Sequence, residues 1–300
     1  MRWLYHVTPR GTDLGDRFAP ASLVIEGFVH CSFRDEARES ALLYFPHDIA
    51  LDVLRIDPRR LDARVELASS PRGPMPHVRG PIPRDAIAEV LPLDRVAGAP
   101  DRVTGTRFGF VAFEGMTLLD LVGALDPIGR IASMGFDPSS RISVVSAASE
   151  RVWTCEGAAL VVDRVRPPLD EIDVLVVPGG LGARALAEDP ALVDWLGSFP
   201  HNRLIASVCT GSLLLGAAGR LRGRRATTHR TAMADLARYG AAAVDARVVD
   251  EGQLVTAAGV TCALDLGLHL VRRLEGDEVA AKIAAQMQLP DGFGARAAGA

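Results

Sequence analysis

One cysteine, Cys209, stands at a predicted strand-to-helix corner. The stretch 204–208 (LIASV) has the length and residue types of a buried strand, and 211–219 is rich in Leu and Ala and ends on glycine, as a short helix does. The free N–H groups and the positive dipole end of a helix favour a thiolate over a thiol. The position of Cys209 therefore leaves two interpretations open, a cysteine nucleophile and an inert buried thiol.

Asp120 is the second candidate catalytic residue. It stands between Leu119 and Leu121 in a predicted helix, where it would be buried. Burial raises the pKa of a carboxyl group, so a neutral Asp120 could donate a proton. The alternative is a helix cap or dipole partner. A strand that ends in the glycines of VPGG (177–180) could direct N–H donors to the same point as the CTG corner.

Alternating strands and helices must position these residues. In the first hundred residues of the chain, strands are predicted at 51–56 and 88–93. Parallel strands joined by helices predict an α/β fold with a doubly wound, mostly parallel sheet, and a functional site at the carboxyl ends of its strands. The downstream elements are strands at 107–113, 141–147, 172–180 and 204–208, helices at 118–132, 183–196, 211–219 and 261–274, and a strand-rich segment at 246–259.

The chain of 300 residues is too long for one typical core. The turn-forming stretch AGAPDRVTG begins at residue 97 and lacks apolar periodicity, so it is the best candidate for a linker. We therefore predict a small mixed α+β domain at 1–96, a linker at 97–105, and a larger α/β domain at 106–300.

Composition excludes several classes of function. The formal net charge of −4 offers no basic face for nucleic acid, and no apolar run approaches a membrane span. The N-terminus has no apolar signal segment, so we expect a cytoplasmic protein. No CxxC pair occurs, which argues against a zinc site or a disulfide framework. The cysteines are Cys31, Cys155, Cys209 and Cys262.

Three stretches of the downstream half resemble the ThiJ/PfpI superfamily: MTLLDLVGALDPIGRI, VPGGLGARAL and SVCTGSLLLGAAGRLRGRRATTH. The resemblance covers about 106–275 and is nearest to the isonitrile hydratase branch. It implies a flavodoxin-like, class I glutamine-amidotransferase-like fold, with Cys209 as nucleophile and Asp120 as the protonated acid that faces it. It also implies an oxyanion pocket made by the N–H groups of Gly180 and Thr210, and places His229 beside the pocket, where a structural role is equally open.

The reaction implied by this resemblance is hydration of an isonitrile-like, nitrile-like or amide-like small molecule. Attack by Cys209 would give a thioimidate, Asp120 would deliver a proton, and water would release an N-formyl amine. No metal or cofactor is needed. We expect a homodimer through the C-terminal domain. Arg230 replaces the tryptophan usual in the hydratases, which favours a more polar substrate.

The superfamily offers two other functions, and one of them remains open. PfpI-like proteolysis is disfavoured because Thr210 stands where those proteases carry histidine. A non-enzymatic sensor that binds a small molecule or responds to oxidants through Cys209 is the alternative, since some members of the superfamily are the sensing halves of transcription regulators. The chain ends at Ala300, so that function would need a separate DNA-binding partner. We expect Cys262 to have a packing role.

The upstream half resembles a bacterial family called domain of unknown function 952, which is distantly similar to ADP-ribosyltransferase folds. The motifs are LYHVT, SLVIEGFVHCSF, LDVLRIDPRRL and PHVRGPIPRDAIAEVLPL. His-x-Thr and His-x-Ser each place two polar side chains on one face of a strand, a patch suited to ribose or phosphate. The predicted ligand site is His6, Thr8, His30 and Ser32, with structural histidines as the alternative.

Overall fold

The computed structural model describes residues 1–46, 48–70, 73–290 and 293. The chain divides into two compact units, Met1–Val103 and Thr104–Ala300. The division falls inside the predicted linker, and the residues just before it pair with the start of the chain. The Val103 N–H donates to the Met1 carbonyl at 2.9 Å, and the Trp3 N–H donates to the Asp101 carbonyl at 3.0 Å. In the part of the chain that the structure describes, no helix is long and apolar enough to cross a bilayer.

The first unit is built on small antiparallel sheets. Strands β1, β4 and β8 form one sheet, β3, β6 and β5 form another, and β2 pairs with β7. Apolar residues of β1 and β4 are buried on both faces of their sheet: Tyr5 and Val53 lie in a cluster with residues of helix α2, and Ile56 lies in a second cluster with residues of β3 and β6. The elements are β1 (Leu4–Pro9), β2 (Arg17–Phe18), α1 (Ala21–Glu26), β3 (Val29–His30), α2 (Arg34–Tyr44), β4 (Leu51–Ile56), β5 (Val65–Ser70), β6 (Gly73–Val78), β7 (Ile82–Pro83) and β8 (Ile87–Pro92).

The second unit contains a seven-stranded sheet in the order β13-β10-β9-β14-β15-β19-β18, parallel except for the β18–β19 pair. The elements are β9 (Arg107–Val111), α3 (Leu118–Ser133), β10 (Arg141–Ser146), β11 (Arg151–Trp153), β12 (Ala159–Val161), β13 (Arg164–Val165), β14 (Val174–Val177), α4 (Ala183–Leu186), α5 (Pro190–Gly197), β15 (Leu204–Val208), α6 (Gly211–Ala217), β16 (Arg225–Ala226), α7 (Met233–Leu236), β17 (Ala242–Ala243), β18 (Val248–Asp250), β19 (Leu254–Ala257), α8 (Cys262–Glu275) and α9 (Asp277–Gln286).

The central strands are buried on both faces. Every residue of β14 and β15 is buried, because helices cover both sides of a parallel sheet. Helix α3 packs against α8, and α6 contacts α4, α5 and α7. The α3–α8 contact is close enough to require Gly123, since a Cβ there would lie 2.8 Å from the Cβ of Ala263.

The predicted fold class, a doubly wound α/β sheet after a small α+β unit, is confirmed. The structure differs in detail where local chemistry ends an element. The single helix predicted at 183–196 is divided into α4 and α5, because Pro190 starts a new helix that the Asp189 side chain caps. The predicted strand 172–180 is shorter, since residues 178–180 leave the sheet. The segment 246–259 is the β18–β19 hairpin, and α9 was not predicted.

Candidate active site

Cys209 lies immediately after β15, at the carboxyl end of a central strand. Its backbone has a φ of +55°, a left-handed conformation that is costly for a residue with a Cβ. The Cys209 N–H donates to the carbonyls of Ala257 and Ala258, both at 3.0 Å, and its carbonyl accepts from the Thr228 hydroxyl at 2.9 Å. These bonds hold the strained corner in place, as a nucleophile elbow requires.

Asp120 reaches the same point from the first turn of α3. Its side chain is 0% exposed, and Oδ2 accepts from the Gly179 N–H at 3.0 Å. Oδ1 has no hydrogen-bond partner among the described residues. Burial raises the pKa of Asp120 to about 6, although the Gly179 N–H and the Cys209 thiol act in the opposite direction. A buried carboxyl that takes up a proton near neutral pH therefore faces the cysteine.

The sequence predicted that the helix start would favour the thiolate form of Cys209, whereas in the structure the thiol form is favoured. Burial, followed by the negative charge of Asp120, raises the pKa of the thiol to about 11 instead of lowering it. The N–H groups of Thr210 and Val260 and the Thr210 hydroxyl act in the opposite direction. The N–H donors at the elbow are outweighed because Cys209 is only 6% exposed and lies beside the carboxylate of Asp120.

These two groups behave as a pair that holds one proton across neutral pH. Below about pH 6 the pair gains a second proton, and only near pH 11 does it lose the last one. Transfer of the shared proton from sulfur to Asp120 gives a thiolate next to a neutral acid, without a change in net charge. The pair can therefore supply a nucleophile and a proton donor in one step.

The two N–H groups of the predicted oxyanion pocket have different partners in the structure. The Gly180 N–H donates to the Thr210 Oγ1 at 2.9 Å and not to the Cys209 sulfur. The N–H groups that do face it belong to Thr210 and Val260. Gly180 instead has a scaffold role: its φ is +143°, and a Cβ there would lie 2.4 Å from the Gly115 carbonyl oxygen.

His229 is half-buried beside the site. Its Nδ1 forms a hydrogen bond of 2.8 Å with the Thr231 hydroxyl, and its ring packs over Gly259, the residue before Val260. These contacts fit the structural role left open by the sequence. Arg230 is exposed at the start of the following turn.

Sequence reasoning missed two contributors. Val260 has no chemical side-chain function, and its N–H reaches the sulfur only because β19 is hydrogen-bonded next to β15. Glu156 lies in the turn between β11 and β12 and accepts from the Leu118 N–H at the start of α3, at 3.1 Å. Its charge contributes to the raised pKa of Asp120. Position 156 carries no motif that could have identified it.

The other cysteines show no comparable setting. Cys31 is buried in the first unit, and burial raises its pKa to about 12. Cys262 is buried at the start of α8, in keeping with the expected packing role. Cys155 is exposed, 3.5 Å from the Thr117 hydroxyl. Within the described ranges, no group of three or more His, Cys, Asp or Glu side chains could hold a metal ion.

The four polar residues predicted as a ligand site in the first unit line one cavity: His6, Thr8, His30 and Ser32. They are brought together because Tyr5 of β1 pairs with Ser32 in antiparallel fashion, and because His6 Nδ1 bonds to the His30 carbonyl at 2.6 Å.

Two family models match the chain. The model of the DJ-1/PfpI family matches residues 107–273, and the model of a protein of unknown function, DUF952, matches residues 12–90. The chain is 35% identical over 183 residues to the isonitrile hydratase of Pseudomonas putida, which covers 61% of this chain and 78% of that enzyme.

Two further similarities concern the same half. The chain is 32% identical over 185 residues to the HTH-type transcriptional regulator CdhR of Pseudomonas aeruginosa, covering 61% of this chain and about half (54%) of the regulator. A crystal structure of a ThiJ/PfpI family protein from Pseudomonas syringae superposes with a TM-score of 0.58 at 32% identity, covering 63% of this chain and 77% of that one.

Proposed function

Because this chain belongs to the DJ-1/PfpI family, we propose that its second unit is a cysteine-dependent hydratase that converts an isonitrile into an N-formyl amine. Cys209 is the nucleophile, and Asp120 first accepts and then returns the proton. The observation that carries the proposal is the buried Asp120 carboxyl, which lies beside the Cys209 thiol. The pKa of this carboxyl is raised, and its Oδ1 has no hydrogen-bond partner among the described residues.

The first step forms the carbon–sulfur bond. As the Cys209 sulfur attacks the isonitrile carbon, its proton passes to Asp120, and Asp120 then protonates that carbon to give a thioimidate, S–CH=N–R. The isonitrile has no leaving group, so an acid that returns the same proton is sufficient.

The second step consumes water. Water adds across the C=N bond, with the hydroxyl on carbon and the hydrogen on nitrogen. Collapse to the formyl C=O expels the sulfur, and the hydroxyl proton returns through Asp120 to Cys209. The net reaction adds one water to one isonitrile, and both side chains recover their starting states. The N–H groups of Thr210 and Val260 stabilise negative charge on the departing sulfur.

Turnover of p-nitrophenyl isocyanide tests this assignment. Cys209→Ala should abolish turnover, and Asp120→Asn should lower kcat by roughly 10²- to 10⁴-fold, the usual contribution of a positioned acid–base group. Asp194→Asn, which removes one exposed carboxylate from helix α5, is the matched control and should leave kcat unchanged. Turnover that survives Asp120→Asn contradicts the proton-transfer role, and turnover that survives Cys209→Ala contradicts the nucleophile.

A sensor function is the second candidate. It is supported by the similarity to the regulator CdhR and by the raised pKa of Cys209, which keeps the thiol protonated and slow to react without a specific ligand. A sensor would bind p-nitrophenyl isocyanide at one equivalent at most, whereas an enzyme consumes many. The homodimer stays a prediction, which sedimentation velocity measures directly.

A further inference from the structure

We propose that the first unit carries a separate binding site for a neutral ring with adjacent hydroxyl groups, the chemistry of a nucleoside ribose or of a free sugar. The site is a cavity of about 1020 Å³, a volume that holds a ligand of nucleoside size. Its lining combines buried polar side chains with aromatic rings such as Tyr44 and Phe45. The proposal is independent of the chemistry at Cys209.

His6 is the first selective group in this cavity. It is only 8% exposed, and its Nδ1 lies 2.6 Å from the His30 carbonyl oxygen. A carbonyl only accepts, so Nδ1 carries the proton. Burial lowers the pKa of His6 to about 4, which keeps the ring neutral at pH 7. Nε2 is therefore a bare acceptor, and the described part of the chain provides no hydrogen-bond partner for it.

Thr8 is the second selective group. It is 5% exposed and lies two residues along β1 from His6, on the same face and about 6.5–7 Å away. Its hydroxyl donates to Thr12 Oγ1 at 2.9 Å, because the Thr12 hydroxyl proton is committed to the Pro9 carbonyl at 2.6 Å. The Thr8 oxygen is thus left with lone pairs only and, like His6, offers an acceptor.

Two neutral, buried acceptors select the ligand. A phosphate beside His6 and Thr8 would meet acceptors where it needs donors, and an ammonium group buried beside these two neutral residues would lack a counter-charge. Adjacent hydroxyl groups fit, since each donates one proton. The three charged residues that line the cavity in the described part of the chain already have partners. Arg17 bonds to Asp62 at 2.8 Å, Glu26 bonds to His30 at 3.1 Å, and the exposed Asp13 accepts from the Gly15 N–H at 3.0 Å. The exposed Tyr44 ring offers a flat surface to a base or a sugar face.

Isothermal titration calorimetry of the full chain with four probes tests the site: adenosine, D-ribose, 2′,3′-dideoxyadenosine and AMP. We expect saturable binding of adenosine, of ribose, or of both, and dideoxyadenosine should bind at least about 5- to 10-fold more weakly than adenosine, the effect of one or more lost hydrogen bonds. Binding of adenosine alone identifies a nucleoside as the source of the ring, and comparable binding of ribose identifies a free sugar.

Two variants form a matched pair. Thr8→Val keeps the side-chain shape but removes the acceptor, and should weaken the bound probe by about 5- to 10-fold. Thr12→Val also changes a lining residue and loses the same Thr8–Thr12 hydrogen bond, but it keeps the Thr8 oxygen, and it should therefore weaken the bound probe less than Thr8→Val does. The proposal is overturned if neither adenosine nor ribose binds up to roughly 10 mM, if dideoxyadenosine binds as well as adenosine, or if AMP binds tenfold tighter than adenosine. The probe series on the unmodified chain decides the question even where a variant fails to fold.

Discussion

Asp120→Asn should stabilise the second unit at pH 8 and have almost no effect at pH 4. The side chain is fully buried, and its pKa is raised from 3.8 to about 6. A carboxyl whose folded pKa lies above its unfolded pKa binds its proton more tightly in the folded state. Its favourable contribution is therefore complete below about pH 4 and is lost as the pH rises through about 6.

The magnitude comes from the size of that shift. A rise from 3.8 to about 6 is roughly 2 pKa units, or about 3 kcal/mol of destabilisation above pH 6 at 1.36 kcal/mol per unit. Asparagine keeps the acceptor for the Gly179 N–H but is never charged. The gain in unfolding free energy at pH 8 should approach this value, which for a unit of this size corresponds to roughly 6–12 °C in Tm.

Differential scanning calorimetry of the full chain at pH 4, 6 and 8 measures the effect, with Asp194→Asn as control. The control removes an exposed carboxylate from the same unit and should stay within about 0.5 kcal/mol at every pH. If Asp120→Asn is no more stable than the unmodified chain at pH 8, or if the gain is as large at pH 4, then Asp120 is not a desolvated carboxyl and the acid–base role loses its physical basis.

Three further changes test the shared proton, the scaffold and the division into units. The kcat/KM for p-nitrophenyl isocyanide should rise as the pH passes about 6 and stay level from pH 8 to about 10, because the pair holds one proton over that range; a fall between pH 6 and 8 contradicts this. Gly180→Ala should lower the free energy of unfolding, measured in urea, by roughly 2–4 kcal/mol, because the added Cβ meets the Gly115 carbonyl oxygen. The control Gly197→Ala has open space around the added Cβ and should be neutral or stabilising. Equal urea midpoints for the two variants would refute the close contact at Gly180. Residues 104–300 expressed alone should fold and keep a kcat within about twofold of the full chain, and loss of folding would mean that the two units share a core.

The sequence predicted those parts of the fold that depend on local patterns. The apolar runs of β14 and β15 and the periodicity of α3 are strong local signals, and each appears at the expected position. Boundaries were less certain where one residue decides them, as at Pro190. Helix α9 was missed because its short, alanine-rich stretch shows only a weak apolar stripe.

The sequence identified Cys209 by its place at a strand–helix corner, and it identified Asp120 by its place between two leucines together with the resemblance to the ThiJ/PfpI superfamily. What only the tertiary structure decided is how these groups are charged and which donors reach them. Burial and a neighbouring carboxylate outweigh the helix start and raise the pKa of the thiol, and the pairing of β15 with β19 brings the Val260 N–H to the sulfur. Such effects depend on distance and on exclusion of water, which arise only when segments far apart in the chain pack together.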